Sequence, residues 1–271
     1  MKHEMSLMET QRESLRVLAE IDRICLEQGF RYWITFGTLI GAVRHKGFIP
    51  WDDDIDIAMP RSDYDGFIKY ITNEYNDKGF ELHTFLNNKN YPFYISRFCD
   101  TRNELVFTDY NYRSGCFVDI YPYDGMGAPM DYEYWKKLEP KLHSISKKLI
   151  MAEQRKLLYG NTLVHKIGNF PQLLLCKLIG RTHFYRKLDK YRFRFTWNES
   201  ERVGVICWSS GTYCYPKEWF DNIIRIPFED IEVNAPRDFD NILRFLYGDY
   251  MELPPEDKRV PQHGYIAYRY E

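Results

Sequence analysis

Trp51-Asp-Asp-Asp-Ile-Asp-Ile57 places four carboxylates within five residues. In extended backbone alternate side chains share a face, so Asp52, Asp54 and Asp56 fall on one side and Asp53, Ile55 and Ile57 on the other. Acids two residues apart on a strand lie about 6.5–7 Å apart at Cα, at a rise of roughly 3.3 Å per residue. That spacing suits the grip of one or two divalent ions. Without a cation such close like charges repel, and one carboxylate takes up a proton. An all-oxygen donor set favours Mg²⁺ or Mn²⁺ over zinc. Asp53, of opposite parity, reads as a supporting residue. Acidic runs also occur as solvated loops and helix starts, and Asp is a poor strand former. The interleaved Ile-x-Ile argues for a strand with one face in a core.

Upstream, Tyr32-Trp-Ile-Thr-Phe36 reads as a short strand running into Gly37-Thr38-Leu-Ile-Gly-Ala-Val-Arg44, a turn followed by a helix. A Gly and a hydroxyl residue at such a turn offer backbone N–H groups and a helix N-terminus to a phosphate. Arg44, further along that helix, adds a positive charge there or pairs with an Asp. Downstream, in Cys116-Phe-Val-Asp-Ile-Tyr121, Phe117, Asp119 and Tyr121 share a face, with Val118 and Ile120 opposite. Asp119 thus repeats the pattern of an acid flanked by core-facing apolar residues, although a strand-edge acid would read the same way.

The stretch from Tyr32 to Arg61, with Asp52-Asp-Asp-Ile-Asp-Ile-Ala-Met-Pro-Arg61 at its end, resembles the signature of the LicD family of phosphotransferases, relatives of the fukutin proteins on a nucleotidyltransferase fold. Echoes lie at Gly115-Cys-Phe-Val-Asp-Ile-Tyr-Pro-Tyr-Asp124 and at Leu253-Pro-Pro-Glu-Asp-Lys-Arg-Val-Pro-Gln-His-Gly264, whereas residues 126–215 carry no family motif. The resemblance implies catalytic roles for Asp54, Asp56 and Asp119. Asp119 would be the third carboxylate, on a neighbouring strand, orienting the acceptor hydroxyl as a base or a second metal ligand. Asp54 and Asp56, joined by Asp52, would hold Mg²⁺ or Mn²⁺. Gly37, Thr38 and Arg44 would meet the donor phosphates. His263, with Lys258 and Arg259, would reach a phosphate or the acceptor, or simply be surface charge. The implied donor is a CDP-alcohol, usually CDP-choline. The implied acceptor is a sugar hydroxyl of a cell-surface glycan of teichoic acid or lipopolysaccharide type, or its lipid-linked precursor, and CMP is released. Two other readings stay open: nucleotidyl transfer from an NTP to a small metabolite, and a non-catalytic glycan- or lipid-binding relative.

These residues need a scaffold. Leu7, Leu15, Leu18, Ile21 and Cys25 predict a helix over 6–28, closed by Gly29. Met59-Pro60 ends the acidic strand, since proline cannot continue a ladder, and a second helix follows with Ser62 as N-cap and Asp65 as its capping-box partner. Short β-like runs cover 80–85, 93–98, 105–107 and 116–121, extending the first sheet. A strand over 203–208 and a helix over 238–247, ended by Gly248, complete the set, with the Pro-rich tail from 253 to 265 as an ordered loop over the core. The expected class is α+β, a nucleotidyltransferase-like mixed sheet with flanking helices. Residues 1–125 are the expected catalytic core, 126–200 a helical insertion, and 201–271 a C-terminal part packing back.

That insertion is strongly basic: between 136 and 194 there are 15 Lys and Arg against 3 Asp and Glu. It reads as contact with an anionic membrane surface or a lipid phosphate, or as a solvated cationic face; no nucleic-acid motif accompanies it. The whole chain, 271 residues with a net charge of −2, argues for no particular partner. Its 22 tyrosines suggest half-buried rims or a sugar- or choline-binding cleft. No run approaches 18 apolar residues, and the N-terminus is polar without a signal peptide. Six scattered cysteines without Cys-x-x-Cys are then free thiols of a cytoplasmic protein, working peripherally on the inner face of the plasma membrane if the basic region binds there.

Overall fold

The computed structural model describes residues 2–154, 163–208, 211–261 and 263–270. In chain order its strands and helices are β1 (Lys2–Glu4), α1 (Leu7–Gln28), β2 (Trp33–Ile34), α2 (Phe36–His45), β3 (Asp56–Pro60), α3 (Arg61–Asn73), β4 (Phe80–His83), β5 (Ser96–Asp100), β6 (Asn103–Phe107), β7 (Arg113–Ser114), β8 (Phe117–Gly125), α4 (Tyr132–Glu153), α5 (Leu163–Ile179), α6 (Arg181–Asp189), β9 (Arg202–Trp208), β10 (Gly211–Pro216), β11 (Ile223–Phe228), β12 (Ile231–Pro236), α7 (Phe239–Tyr247) and β13 (Tyr265–Tyr270). The class is α+β.

The central sheet runs β10-β9-β8-β3-β2, and β5, followed by β4, pairs with the other edge of β8. Only β3 and β8 are parallel. Strand β8 is the axis of this sheet. All nine of its residues are buried; its first half lies between β3 and β5, and its end passes to β9 at Asp124 and Gly125. Helices α1 and α3 cover one face, burying Val17, Ile21, Phe67 and Ile71 with Ile55, Ile57, Val118 and Ile120 in the main core. With Val118 and Ile120 committed there, period two turns Asp119 and Tyr121 to the opposite face.

The ends of α1 follow from local chemistry. Ser6 Oγ accepts the Glu9 N–H at 3.3 Å, and the Glu9 carboxylate accepts the Ser6 N–H at 2.8 Å, a reciprocal cap. Gly29 ends the helix at φ 74°, where glycine has no Cβ penalty. Helix α3 starts at Arg61 directly after Pro60, so Ser62 lies inside its first turn and is not the cap. The fixed φ of proline makes the turn that a hydroxyl cap was expected to make. The acidic strand is also shorter than its sequence suggests. It begins at Asp56, and Asp52–Asp54 precede it in loop conformation, in keeping with the poor strand preference of aspartate.

Helices α4, α5 and α6 gather around a second core that includes Trp135, Leu142, Leu149, Cys176, Phe184 and Leu188. Residues 155–162 of this expected insertion lie outside the described residues. The hairpin β11–β12 packs beside β2, and β13 joins the small sheet β1-β13-β6-β7. Among the described residues no helix is long and apolar enough to cross a membrane. Cys25, Cys99, Cys116, Cys176 and Cys214 are free and buried; the Cys207 side chain lies outside the described residues.

Candidate active site

The face of the sheet left open by α1 and α3 carries a cavity of about 490 Å³. Its walls include Gly37, Asp52, Asp54, Asp56, Arg97, Asp119 and His263, with Phe36, Tyr121, Tyr213 and Tyr247 on one side. Asp56 and Asp119 are register partners on the parallel pair β3–β8. Asp54 arrives from the loop, tied to β8 one residue on by the Asp119 N–H donating to Ile55 O at 2.8 Å. One carboxylate oxygen from each of Asp54, Asp56 and Asp119 lies within 4.8 Å of the others.

Electrostatically this cluster is under tension. Burial, then the Asp54 and Asp119 carboxylates, push Asp56 well above the usual carboxylate range. Burial likewise raises Asp54. Asp52 is pushed up to about 8 by burial, then by Asp54 and Asp53. Asp56 Oδ1 is buried and has no hydrogen-bond partner among the described residues. Raised carboxyls around an orphaned oxygen, with no nitrogen or sulfur donor among the three acids, fit a hard divalent cation.

One cation is already present. Arg97, on β5, is 1% exposed and stands opposite Asp119 across the antiparallel pair. Its Nε and Nη2 donate to the two Asp119 oxygens at 2.7 and 2.8 Å, which fixes that carboxylate bidentately. The guanidinium lies 3.4 Å from the Phe117 ring centroid, and Phe93 and Phe107 also face it. Sequence reasoning missed Arg97. Its only signal was an arginine near the end of the mostly apolar run Phe93–Phe98.

His263 reaches the site from the tail. Its Nδ1 is 2.9 Å from Asp53 Oδ1, its Nε2 3.6 Å from Asp54 Oδ2, and its backbone N–H donates to Asp53 Oδ2 at 3.1 Å. The hydrogen bond to Asp53, with the Asp54 and Asp53 charges, outweighs burial and raises His263 to about 9, so it is an imidazolium at neutral pH. Tyr265 adds a hydrogen bond to Asp53 O at 2.7 Å. Asp53 thus anchors the tail, and one of its carboxylate oxygens also lies within 4.8 Å of ligand atoms of Asp54 and His263. Lys258 belongs to a short turn at Glu256–Lys258, and Arg259 Nε donates to Pro254 O; neither lines the cavity.

Of the four groups expected to hold the donor, the structure brings Gly37 and His263 to the cavity and uses the other two elsewhere. Gly37 lies in the first turn of α2, where a Cβ would sit 2.7 Å from Asp52 Oδ2. Only glycine leaves this approach open. Thr38 is buried, and its Oγ1 accepts the Asp56 N–H at 2.8 Å, which pins β3 to the helix start. Arg44 points away: Nη1 donates to Tyr250 O at 2.7 Å, holding the chain after α7. Neither Thr38 nor Arg44 is among the residues that line the cavity. Phe36, which the sequence reading assigned to a strand, instead opens α2 at φ 48°. This left-handed backbone is rare for a residue with a side chain and costs about 1–3 kcal/mol. It turns the ring to the cavity wall, 5.0 Å from Tyr121 and 5.5 Å from Tyr213.

Comparison with known proteins bears on this arrangement. Residues 29–157 match the family model described as the nucleotidyltransferase domain of LicD, FKTN and FKRP. Residues 29–157 are a LicD-family domain. The match contains α2, the acidic loop, β3, β5 and β8, and so all five aspartates that line the cavity and Arg97. Over its full length the chain is 29% identical to the lipopolysaccharide cholinephosphotransferase LicD of Haemophilus influenzae, covering 97% of this chain and 98% of that one. It is 24% identical to the human ribitol 5-phosphate transferase FKRP over 45% of this chain and 23% of that protein. A 48-residue stretch is 42% identical to an uncharacterised protein of Rickettsia prowazekii, covering 18% of each. The LicD match extends well past residue 157, taking in α5, α6 and the tail that carries His263.

Proposed function

We propose that this protein is a metal-dependent phosphotransferase that moves phosphocholine from CDP-choline to a sugar hydroxyl of a cell-surface glycan or its lipid-linked precursor. The observation that carries the reading is the convergence of Asp54, Asp56 and Asp119 on one cavity wall beside the open first turn of α2. Near full-length similarity to a cholinephosphotransferase supports the same chemistry. Asp54, Asp56 and Asp119, with Asp52 beside them, would hold Mg²⁺ or Mn²⁺. That ion would neutralise diphosphate charge, which phosphoryl transfer needs more than covalent help from the protein.

The remaining work falls to side chains of this chain. The Gly37 backbone at the start of α2 receives a donor phosphate. His263, charged at neutral pH, adds a positive group on the far side of the acids. Arg97 locks Asp119 so that its carboxylate orients the acceptor hydroxyl. The hydroxyl oxygen bonds to the phosphorus bearing choline, the bond from that phosphorus to the bridging oxygen breaks, and CMP leaves with that oxygen. The hydroxyl proton passes to the Asp56–Asp119 carboxylates. Phe36, Tyr121 and Tyr213 supply an aromatic wall suited to a quaternary ammonium.

The test is product analysis with CDP-choline, CDP-ribitol and CTP as donors. The reading expects CMP from CDP-choline, and Asp54→Asn turning over at least about 10³-fold more slowly with an unchanged circular dichroism spectrum, the scale on which loss of a central electrostatic group is felt. Pyrophosphate release from CTP, or wild-type transfer by Asp54→Asn, refutes it.

A further inference from the structure

Helix α5 has a face that the cleft does not use. Phe170, Leu174 and Leu178 follow one another at four-residue intervals, and Leu175 and Ile179 form the adjacent row. All five are exposed, Leu178 at 76% and Leu175 at 56%, and Pro171 between them is exposed too. Leu173 and Cys176, on the opposite side, are buried, Cys176 in the core that α5 shares with α4 and α6. The helix thus carries an exposed apolar face as well as its buried one, and only the buried one has a protein partner among the described residues. Contiguous apolar surface of this kind marks an interaction site on a soluble domain.

Charge identifies the partner. The two helices packed against α5 expose Lys136, Lys137, Lys141 and Lys147 on α4, and Arg186 and Lys187 on α6. Phe193, 72% exposed just beyond α6, lies between Arg192 and Arg194. Exposed leucines on a helix whose packing neighbours expose lysine and arginine are the make-up of a layer that meets an anionic bilayer. A second copy of the chain would bring the same positive charge and repel it. A cavity of about 540 Å³, lined by Tyr110, His143, Lys147, Ile150, Met151 and Gln172, runs between α4 and α5. It shares Tyr110 and Ile150 with the wall of the acidic cavity.

We propose that the exposed face of α5 docks on an anionic lipid surface and that the α4–α5 groove admits a lipid-linked acceptor to the carboxylates from that side. The groove half of this inference rests on the transferase reading; the docking half does not.

The experiment is flotation of the full chain with vesicles of phosphatidylcholine alone or with about one third phosphatidylglycerol. Expected is co-flotation with the anionic vesicles, reversed by salt, and a bound fraction at least about tenfold lower for Leu175→Glu/Leu178→Glu. That variant should keep the wild-type melting temperature and the wild-type rate of CMP release with a soluble sugar acceptor. Leu178→Trp keeps the face apolar and should be quenched by brominated anionic lipid beyond the wild-type level. Absence of flotation at low salt, flotation unchanged by the double variant, or a wild-type dimer that the same substitutions dissolve overturns the proposal. Flotation without CMP release from any CDP-alcohol would sink the transferase reading and leave the docking intact.

Discussion

Replacing Asp56 by Asn should stabilise the metal-free protein, against the usual expectation for a buried substitution. Asp56 is buried, its Oδ1 is unpartnered among the described residues, and burial with the Asp54 and Asp119 charges beside it pushes its carboxyl well above the ordinary range. A carboxyl raised in the folded state binds protons there that the unfolded chain has released. From about pH 4 upward the native state therefore loses stability as pH rises. For Asp52 this window runs to about pH 8. Each pKa unit is worth about 1.4 kcal/mol. Relief of even one unit, divided by an unfolding entropy of about 0.57 kcal/mol/K for a chain of this length, raises Tm by about 2–3 °C at pH 8. The same arithmetic gives the metal response. Mg²⁺ or Mn²⁺ at one hundred times its Kd adds about 2.7 kcal/mol, or about 5 °C, to the wild type. Scanning calorimetry in EDTA and then with each ion measures both. The variant should melt higher than wild type in EDTA, equal to it at pH 4, and respond to metal by less than half as much. A lower Tm in EDTA, or a full metal shift, would refute the account of the cluster as a strained cation site.

Other consequences follow from the neighbouring groups. Arg97→Met leaves Asp119 buried without its counter-charge and should cost about 3–5 kcal/mol in urea unfolding; combined with Asp119→Asn the loss should be well short of additive, and additivity would mean the pair does not act as a unit. His263 is raised by Asp53 and Asp54, so its contribution is present in full below pH 6.5 and lost as pH climbs through about 9; the Tm gap between wild type and His263→Gln in EDTA should close over that interval, and a gap that widens would contradict the pairing. Tyr213→Ala, which removes part of the aromatic wall, should raise KM for CDP-choline roughly tenfold, the scale of one to two kcal/mol for a desolvated cation over a ring, with little change for an uncharged CDP-alcohol. Equal losses for both donors would assign the wall to another part of the substrate.

Local chemistry declares itself in sequence: the Gly29 close of α1, the alternation that sends Val118 and Ile120 inward, and the Gly248 stop of α7 each depend on residues a few positions apart. Period two alone therefore determined that Asp119 and Asp56 present their carboxylates from strands. Tertiary structure decided everything that depends on which strands meet. That Asp56 faces Asp119 needs the parallel β3–β8 pairing, and that Arg97 clamps Asp119 needs β5 on the other edge of β8, 22 residues away in the chain. Thr38 and Arg44 had the right residue types for a phosphate but are claimed by Asp56 N–H and Tyr250 O, partners no spacing rule foresees. Asp53 and His263, 210 residues apart, join only because the tail folds back over the acidic loop. A sequence fixes which groups can ionise and which way they alternate; the energy of a buried charge depends on what is brought within a few ångströms of it, and only the folded chain sets that distance.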